Sequence, residues 1–401
     1  MRRRSNTAVS TKAEGKRDTM ARQITAEEEA RLWLNYGLEY RAKTFQRILE
    51  HFGSLTAARA AFSVGDEAFS NLSASILTRL NGANQTGFVD RMLGKMEKKR
   101  IRFTYPGDER YPKLLAEIPD PPSVLYYIGK IEPDPELSIA IIGSRHPSKY
   151  GIEVAKRFGH ELASAGALVV SGMAEGIDAC AARGALDAAD TVCPTLAVLG
   201  CGVDVVYPQS NERLYDEIIE RGAVVSEFLP GSKVERYYFP IRNRVMSGLA
   251  HGTLVVEAAE RSGTSITAGY AHDQGRDVFA VPGRIGDEMS LGPNGMIARG
   301  EAKPVFAPEE ILAEYSCLHV AAETRAPANV VLLSSLNEEQ RAICRLLKSG
   351  EMSFDELCDA LALPIGTMNA SLTELQFSGI VQVLPGRRYN IDTNQTRLKD
   401  I

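Results

Sequence analysis

Gly143, Ser144 and Arg145 form the first run of residues in this chain able to grip a phosphate. The glycine permits close backbone approach, the serine offers a hydroxyl, and the arginine presents a bidentate fork of donors. Ser262, Gly263, Thr264 and Ser265 offer a second anion site. They open a predicted helix, where unpaired N–H groups and the positive end of the dipole favour negative charge. The same residues would also serve as an ordinary Ser/Thr helix cap, and both readings stand at this level. Between the two runs, Phe239, Arg242, Asn243 and Arg244 place a ring, two guanidinium groups and an amide just ahead of a helix. Such planes beside phosphate-binding loops suit the unstacked bases of a single strand. The alternative for the two arginines is internal pairing with Glu227 or Glu257. Ser171 and Gly172 add a turn of small residues, and Tyr207 with Pro208 reads as a turn that shapes a pocket without touching ligand.

Catalysis would have to rest on Glu175, Asp178, Glu227 or Glu257, carboxylates that follow apolar runs. No spacing singles out a nucleophile with its base. The six histidines include no H-x-H or H-E-x-x-H, and the six cysteines include no C-x-x-C, so no metal site is expected. The chain continues from Gly143 as Ser-Arg-His-Pro, without the Gly-x-Gly-x-x-Gly of a dinucleotide site, and no cofactor is expected. These residues favour a binding protein over an enzyme. The formal net charge of -5 excludes a surface that coats nucleic acid as a whole, so any contact must come from a local basic cluster. No apolar run approaches the roughly 20 residues that span a bilayer. With no apolar leader and scattered cysteines, the expectation is a cytoplasmic protein with reduced thiols.

Positioning these residues requires a sheet. Short Val/Ile/Ala-rich runs begin at Ile139, Leu168, Leu196, Val224, Leu254 and Val278, at intervals of 29, 28, 28, 30 and 24 residues. Each is followed by a polar or Gly-rich turn and an amphipathic stretch, the spacing of repeated βαβ units. The runs are apolar throughout, so both faces are covered, and the expected fold is a Rossmann-like, doubly wound, mostly parallel α/β sheet spanning residues 101–316. In such a sheet ligands sit outside the carboxyl ends of the strands, where all the runs above would converge. Residues 1–22 read as a disordered basic arm, and 23–100 as a small helical domain of the sterile-alpha-motif or helix-hairpin-helix kind. Its Tyr36-to-Tyr40 hairpin lacks a Gly-x-Gly turn, so packing is expected of it rather than DNA contact. Residues 317–335 read as a linker, 336–392 as a winged helix, and 393–401 as a tail.

Several stretches, taken in order, resemble one family over most of the chain. They are Ala140 to Arg145, Ser171 to Asp178, Val198 to Pro208, Phe239 to Arg244, Ser262 to Ala268 and Ala280 to Gly283, with Gly292 to Gly295 following. Together they resemble the DNA-processing protein A (DprA/Smf) family. The resemblance implies a dimeric Rossmann-like domain that binds single-stranded DNA, protects incoming DNA and helps load the recombinase RecA during natural transformation. On that basis Arg145 is the leading phosphate contact, supported by Ser171, Gly172, Arg242, Asn243, Arg244 and the loop from Ser262 to Ser265. The family often has a histidine after its Gly-Ile-Asp helix start; here the chain reads Ala182 and Arg183, which makes Arg183 a candidate contact. Two competing readings are a nucleotide-processing enzyme of the "lonely guy" kind, whose Pro-Gly-Gly-x-Gly-Thr signature is missing, and a winged-helix regulator with the sheet as ligand sensor.

Overall fold

The computed structural model describes residues 24–189, 191, 193–315, 329–332, 336–348, 350–378, 380–384, 388–391 and 396–399. The basic arm expected at 1–22, and most of the linker and tail, lie outside them. The chain first builds five helices: α1 (Ala26–Leu38), α2 (Ala42–Phe52), α3 (Leu55–Ser63), α4 (Ala74–Ala83) and α5 (Phe88–Lys98). Thr25 and Glu28 close a reciprocal capping box at the start of α1, and Gly53, at φ 72°, ends α2 in the left-handed conformation that glycine tolerates. The apolar residues Leu32, Trp33, Leu34 and Leu38 of α1 are fully buried. They share one core with Tyr126, Ile128 and Val224 of the sheet. Polar ties cross the same seam: Arg31 Nη1 donates to the Ser123 carbonyl at 3.2 Å, and Asn35 Nδ2 to the Tyr126 hydroxyl at 3.0 Å. The Tyr36–Tyr40 turn packs, as expected. Gly37 lies against Leu80, and the Tyr40 ring stands 5.8 Å from that of Phe228.

The sheet has nine strands. In chain order they are β1 (Arg102–Thr104), β2 (Leu125–Gly129), β3 (Ser138–Ile142), β4 (Leu168–Ser171), β5 (Thr195–Val198), β6 (Ala223–Ser226), β7 (Gly252–Val255), β8 (Asp277–Ala280) and β9 (Lys303–Pro304). All six apolar runs are therefore strands. Their order across the sheet is β1-β2-β6-β5-β4-β3-β7-β8-β9, parallel from β6 to β9, with β2 antiparallel to both β6 and β1. The helices between them are α6 (Lys113–Ala116), α7 (Lys149–Ser164), α8 (Ile177–Leu186), α9 (Glu212–Arg221), α10 (Tyr238–Gly248), α11 (Gly263–Asp273), α12 (Leu291–Ala298) and α13 (Pro308–Glu314). Alternate residues of one strand enter different cores, as the pleat requires. Ile139 and Ile141 pack with Phe158 and Leu162 of α7 and Ala181 of α8, whereas Ala140 and Ile142 pack with Val245 and Met246 of α10 and Ala268 of α11. Continuous apolar runs are thus the mark of a sheet covered on both faces.

The path of the chain fixes where a ligand can sit. From β3 it winds one way through β4, β5 and β6, then returns through α10 to place β7 on the other side of β3. At such a reversal the loops leaving adjacent strands diverge and leave a crevice at the carboxyl ends.

Beyond the sheet, β10 (Asn329–Leu332) pairs in parallel with β14 (Thr396–Lys399). These strands fall within the stretches expected to be linker and tail, and the β-branched Val330 and Val331 give that segment its strand preference. Helices α14 (Glu338–Leu347), α15 (Phe354–Leu361) and α16 (Ile365–Phe377) surround β11 (Met352–Ser353), β12 (Val381–Leu384) and β13 (Arg388–Ile391). β12 and β13 form the antiparallel wing, and Ile343, Leu347, Leu357, Met368, Leu372 and Ile391 give this winged helix a core of its own.

Candidate nucleic-acid interface

An open cleft of about 650 Å³ lies at the carboxyl ends of the central strands. Its walls include Gly143, Ser144 and Arg145 after β3, Phe239, Arg242 and Asn243 of α10, and Ser262, Gly263 and Thr264 at the start of α11. A small recess, sharing Arg145, Phe239 and Arg242, reaches Gly172 after β4 and Gly200 after β5.

The Gly143–Arg145 loop is clamped at its backbone. Ser144 N–H donates to the Glu257 carbonyl at 2.7 Å, and the Ser144 carbonyl accepts from Ile177 N–H at 3.1 Å. A Cβ on Gly143 would stand 2.7 Å from Ile177 Cγ1 and 2.8 Å from the Glu257 oxygen, so this glycine serves the packing of loop on helix. The Glu257 carboxylate accepts from the Ser148 N–H and hydroxyl at 2.8 and 2.6 Å. That carboxylate holds Ser148, the N-cap of α7, and among the described residues Arg145 is exposed and in no ion pair. Its guanidinium carbon lies 5.3 Å from the centre of the Phe239 ring, and the Tyr207 ring stands 5.7 Å from that of Phe239. Two rings and a free guanidinium thus line one mouth.

Arg242 forms the floor. It is buried, its Nη1 donates to the Val198 carbonyl at 2.7 Å, and its Nε has no hydrogen-bond partner among the described residues. A Cβ at position 172 would overlap the guanidinium, so Gly172 is what lets Arg242 lie there. Gly172 N–H itself donates to Asp178 Oδ2 at 3.0 Å. Burial pushes the Asp178 carboxyl up and the Arg242 guanidinium down, and each opposes the other's shift by its charge. The pair is close to neutral as a unit, so the net positive character of the cleft comes from Arg145 and from Arg236, also exposed and, among the described residues, in no ion pair.

At the third wall Ser262 precedes α11 in extended conformation without capping it, and its hydroxyl is buried with no partner. Of the two readings left open by the sequence, the side-chain cap is therefore not formed. The first N–H groups of an eleven-residue helix open onto the cleft beside that hydroxyl.

Four expected contacts are placed elsewhere. Arg244 is buried in an ion pair with Glu227 at 2.5 Å and donates to the Asp120 carbonyl at 2.7 Å, the internal pairing that stood as the alternative for it. Arg183 projects from α8 toward Asn211 Oδ1 at 3.5 Å. Ser171 is fully buried and its hydroxyl accepts from Met173 N–H at 3.4 Å. Ser265 does not line the cleft, its N–H turned back to the Ser262 carbonyl. Conversely, Arg236, Tyr207, Ile266 and Met289 do line it. A basic residue three positions ahead of Phe239 was the legible signal for Arg236. Met173 holds the left-handed φ of 54°, its carbonyl accepting from Asn211 Nδ2 at 3.0 Å. Nothing in the sequence marked that turn. Glu175, at the rim of the recess, accepts from the Ser210 hydroxyl at 2.6 Å.

The sequence model of DNA recombination-mediator protein A matches residues 102–316, and that of the DprA winged helix domain matches residues 321–387. The chain belongs to the DprA/Smf family. Among its relatives, Protein Smf of Synechocystis sp. is 30% identical over 376 residues, covering 86% of this chain and 94% of that protein. DNA processing protein DprA of Streptococcus pneumoniae is 41% identical over 208 residues, or 52% of this chain and 72% of the relative. The X-ray structure of DNA processing protein A from S. pneumoniae superposes with a TM-score of 0.62 at 33% identity, covering 73% of this chain and 98% of that one. The Rossmann-like sheet and the winged helix are therefore the DprA arrangement. Among the described residues no helix is long and apolar enough to cross a membrane, and no cluster of His, Cys, Asp or Glu is placed to hold a metal ion.

Proposed function

We propose that this DprA/Smf protein binds single-stranded DNA in the cleft, protects incoming strands and helps load RecA during natural transformation, acting in the cytoplasm as a homodimer through its Rossmann-like domain. It is a binding protein and not an enzyme. The observation that carries this reading is the free guanidinium of Arg145 beside the Phe239 ring, above the buried Arg242. A phosphate takes the guanidinium fork and the open amides of α11, while an unstacked base lies on the ring. A duplex keeps its bases stacked inside, so a ring lining the mouth of a cleft has nothing to stack on. Gly143, Ser144, Gly172, Asn243 and the Ser262–Thr264 turn shape this site. Arg236 supplies the second free charge.

Affinity for a fluorescent oligo-dT strand and for the matching duplex, across a salt series, tests the reading. The single strand should bind better, with a log–log salt slope near -0.7 per phosphate contact. Arg145→Ala should weaken binding and make that slope shallower by about 0.7. Preference for duplex, or a folded Arg145→Ala protein with unchanged affinity, would overturn it.

A further inference from the structure

Tyr237 is 53% exposed although its ring packs edge-on against the buried Tyr238 at 4.7 Å and against Tyr40 at 6.3 Å. Tyr40, from the turn between α1 and α2, stands 5.7 Å from Tyr238 and carries the Arg41 guanidinium over its own ring at 4.9 Å. Beneath them Tyr238 stacks on Phe228 at 3.9 Å and 24°. Among the described residues Arg41 is in no ion pair, its Nη1 donating only to the Leu38 carbonyl. Arg236, the residue before Tyr237, lines the cleft. A half-exposed ring held by aromatic neighbours, next in the chain to a cleft-lining arginine and one ring away from a second guanidinium, has the make-up of a base-stacking surface. Nor is it remote from the cleft. Its chain neighbour Arg236 and, two residues on, Phe239 both line the cleft, while the Tyr237 ring lies beside it against Tyr40.

We propose that Tyr237, backed by Tyr40 and following the cleft-lining Arg236 in the chain, is a second stacking platform, taking a base of the same strand as it leaves the cleft toward the helical domain. This rests on the cleft being the single-strand site. The occupant is single-stranded DNA because the residues on either side of the platform in the chain, Arg236 and Phe239, line that site, and a base has the flat face that an exposed ring selects.

The test compares oligo-dT strands of about 4 and about 20 nucleotides, the shorter filling the cleft alone and the longer reaching past it. Tyr237→Ala should leave the short strand's affinity unchanged and weaken the long strand's by about ten-fold, while Tyr237→Phe restores it. Tyr237→Trp supplies a second readout, since the chain's single tryptophan, Trp33, is fully buried; its new fluorescence should be quenched by the long strand. Unchanged affinity of Tyr237→Ala for both lengths, with no quenching, overturns the platform, and in that case the surface serves a protein partner or none. Failure of the underlying reading looks different: the short strand then fails to bind, or binds Arg145→Ala as well as the parent protein.

Discussion

Single side chains do unequal work at this cleft because their surroundings differ. Arg145 is exposed and unpaired, whereas Arg242 is buried with one hydrogen bond to a carbonyl. The first is free to meet a phosphate from solvent. The second holds the floor in shape, its desolvation offset by Asp178. Gly172 is the hinge of this arrangement, since any larger residue meets the Arg242 guanidinium. Gly172→Ala should therefore lower stability by about 1–3 kcal/mol, the range for overpacking a closed site, and weaken oligo-dT binding. Adding Arg242→Met relieves the overlap but leaves the buried Asp178 without its counter-charge, so neither the melting temperature nor the affinity should return to the parent's. Melting curves and titrations of the single and double variants check this, and a double variant that binds like the parent would remove Arg242 from the site.

At the scale of elements, α10 matters most, because it carries Phe239, Arg242 and Asn243 into the cleft. Its other side is anchored by Arg244, which reaches Glu227 after β6 and the Asp120 carbonyl. Removing one partner of such a buried pair strands a charge, so Glu227→Ala should cost about 3–5 kcal/mol, while replacing both partners by apolar residues of similar volume should cost far less. Calorimetry of the single and double variants distinguishes the two. The pair also carries a pH dependence. Burial pushes the Glu227 carboxyl up to about 7 from 4.5, against the pull of Arg244. Between those two values the folded protein holds the proton that the unfolded chain has released, so stability falls as pH rises through the window. Glu227→Gln removes that proton. On going from about pH 5 to about pH 8 the parent protein should lose more stability than the Gln variant; equal losses would place the carboxyl lower.

For the whole molecule, the distribution of cores decides which parts depend on one another. The five N-terminal helices share a core with β2 and β6 and bury Arg31 against Ser123, whereas the winged helix closes its own. A chain ending at Tyr315 should keep the main melting transition and the single-strand affinity. A chain beginning at Ile101 should melt at lower temperature, because Tyr126, Ile128 and Val224 lose their apolar cover. Thermal denaturation followed by circular dichroism measures both. Helix α16 contains no lysine or arginine along Ile365–Phe377, so the winged helix offers no basic recognition helix to a major groove. On the proposed function, a charge-dependent contact with DNA is therefore expected at the cleft of the sheet.

The sequence by itself determined the strands, their approximate spacing, and the end of the sheet where function gathers. A strand covered on both faces must be apolar at every position, and a βαβ unit needs about 30 residues, so both facts are written locally. The family was legible for the same reason, since its motifs are the turns at those strand ends. Which arginine faces the ligand was decided only by tertiary structure. Arg242 and Arg244 are chemically alike and two residues apart on α10, which turns them about 200° from each other around the helix axis. Packing of α10 on β5 and β6 sends one to the cleft floor and the other to Glu227. Tyr207 and Arg236 arrive at the cleft, and Arg183 leaves it, through loop and helix placements that depend on partners distant in the chain.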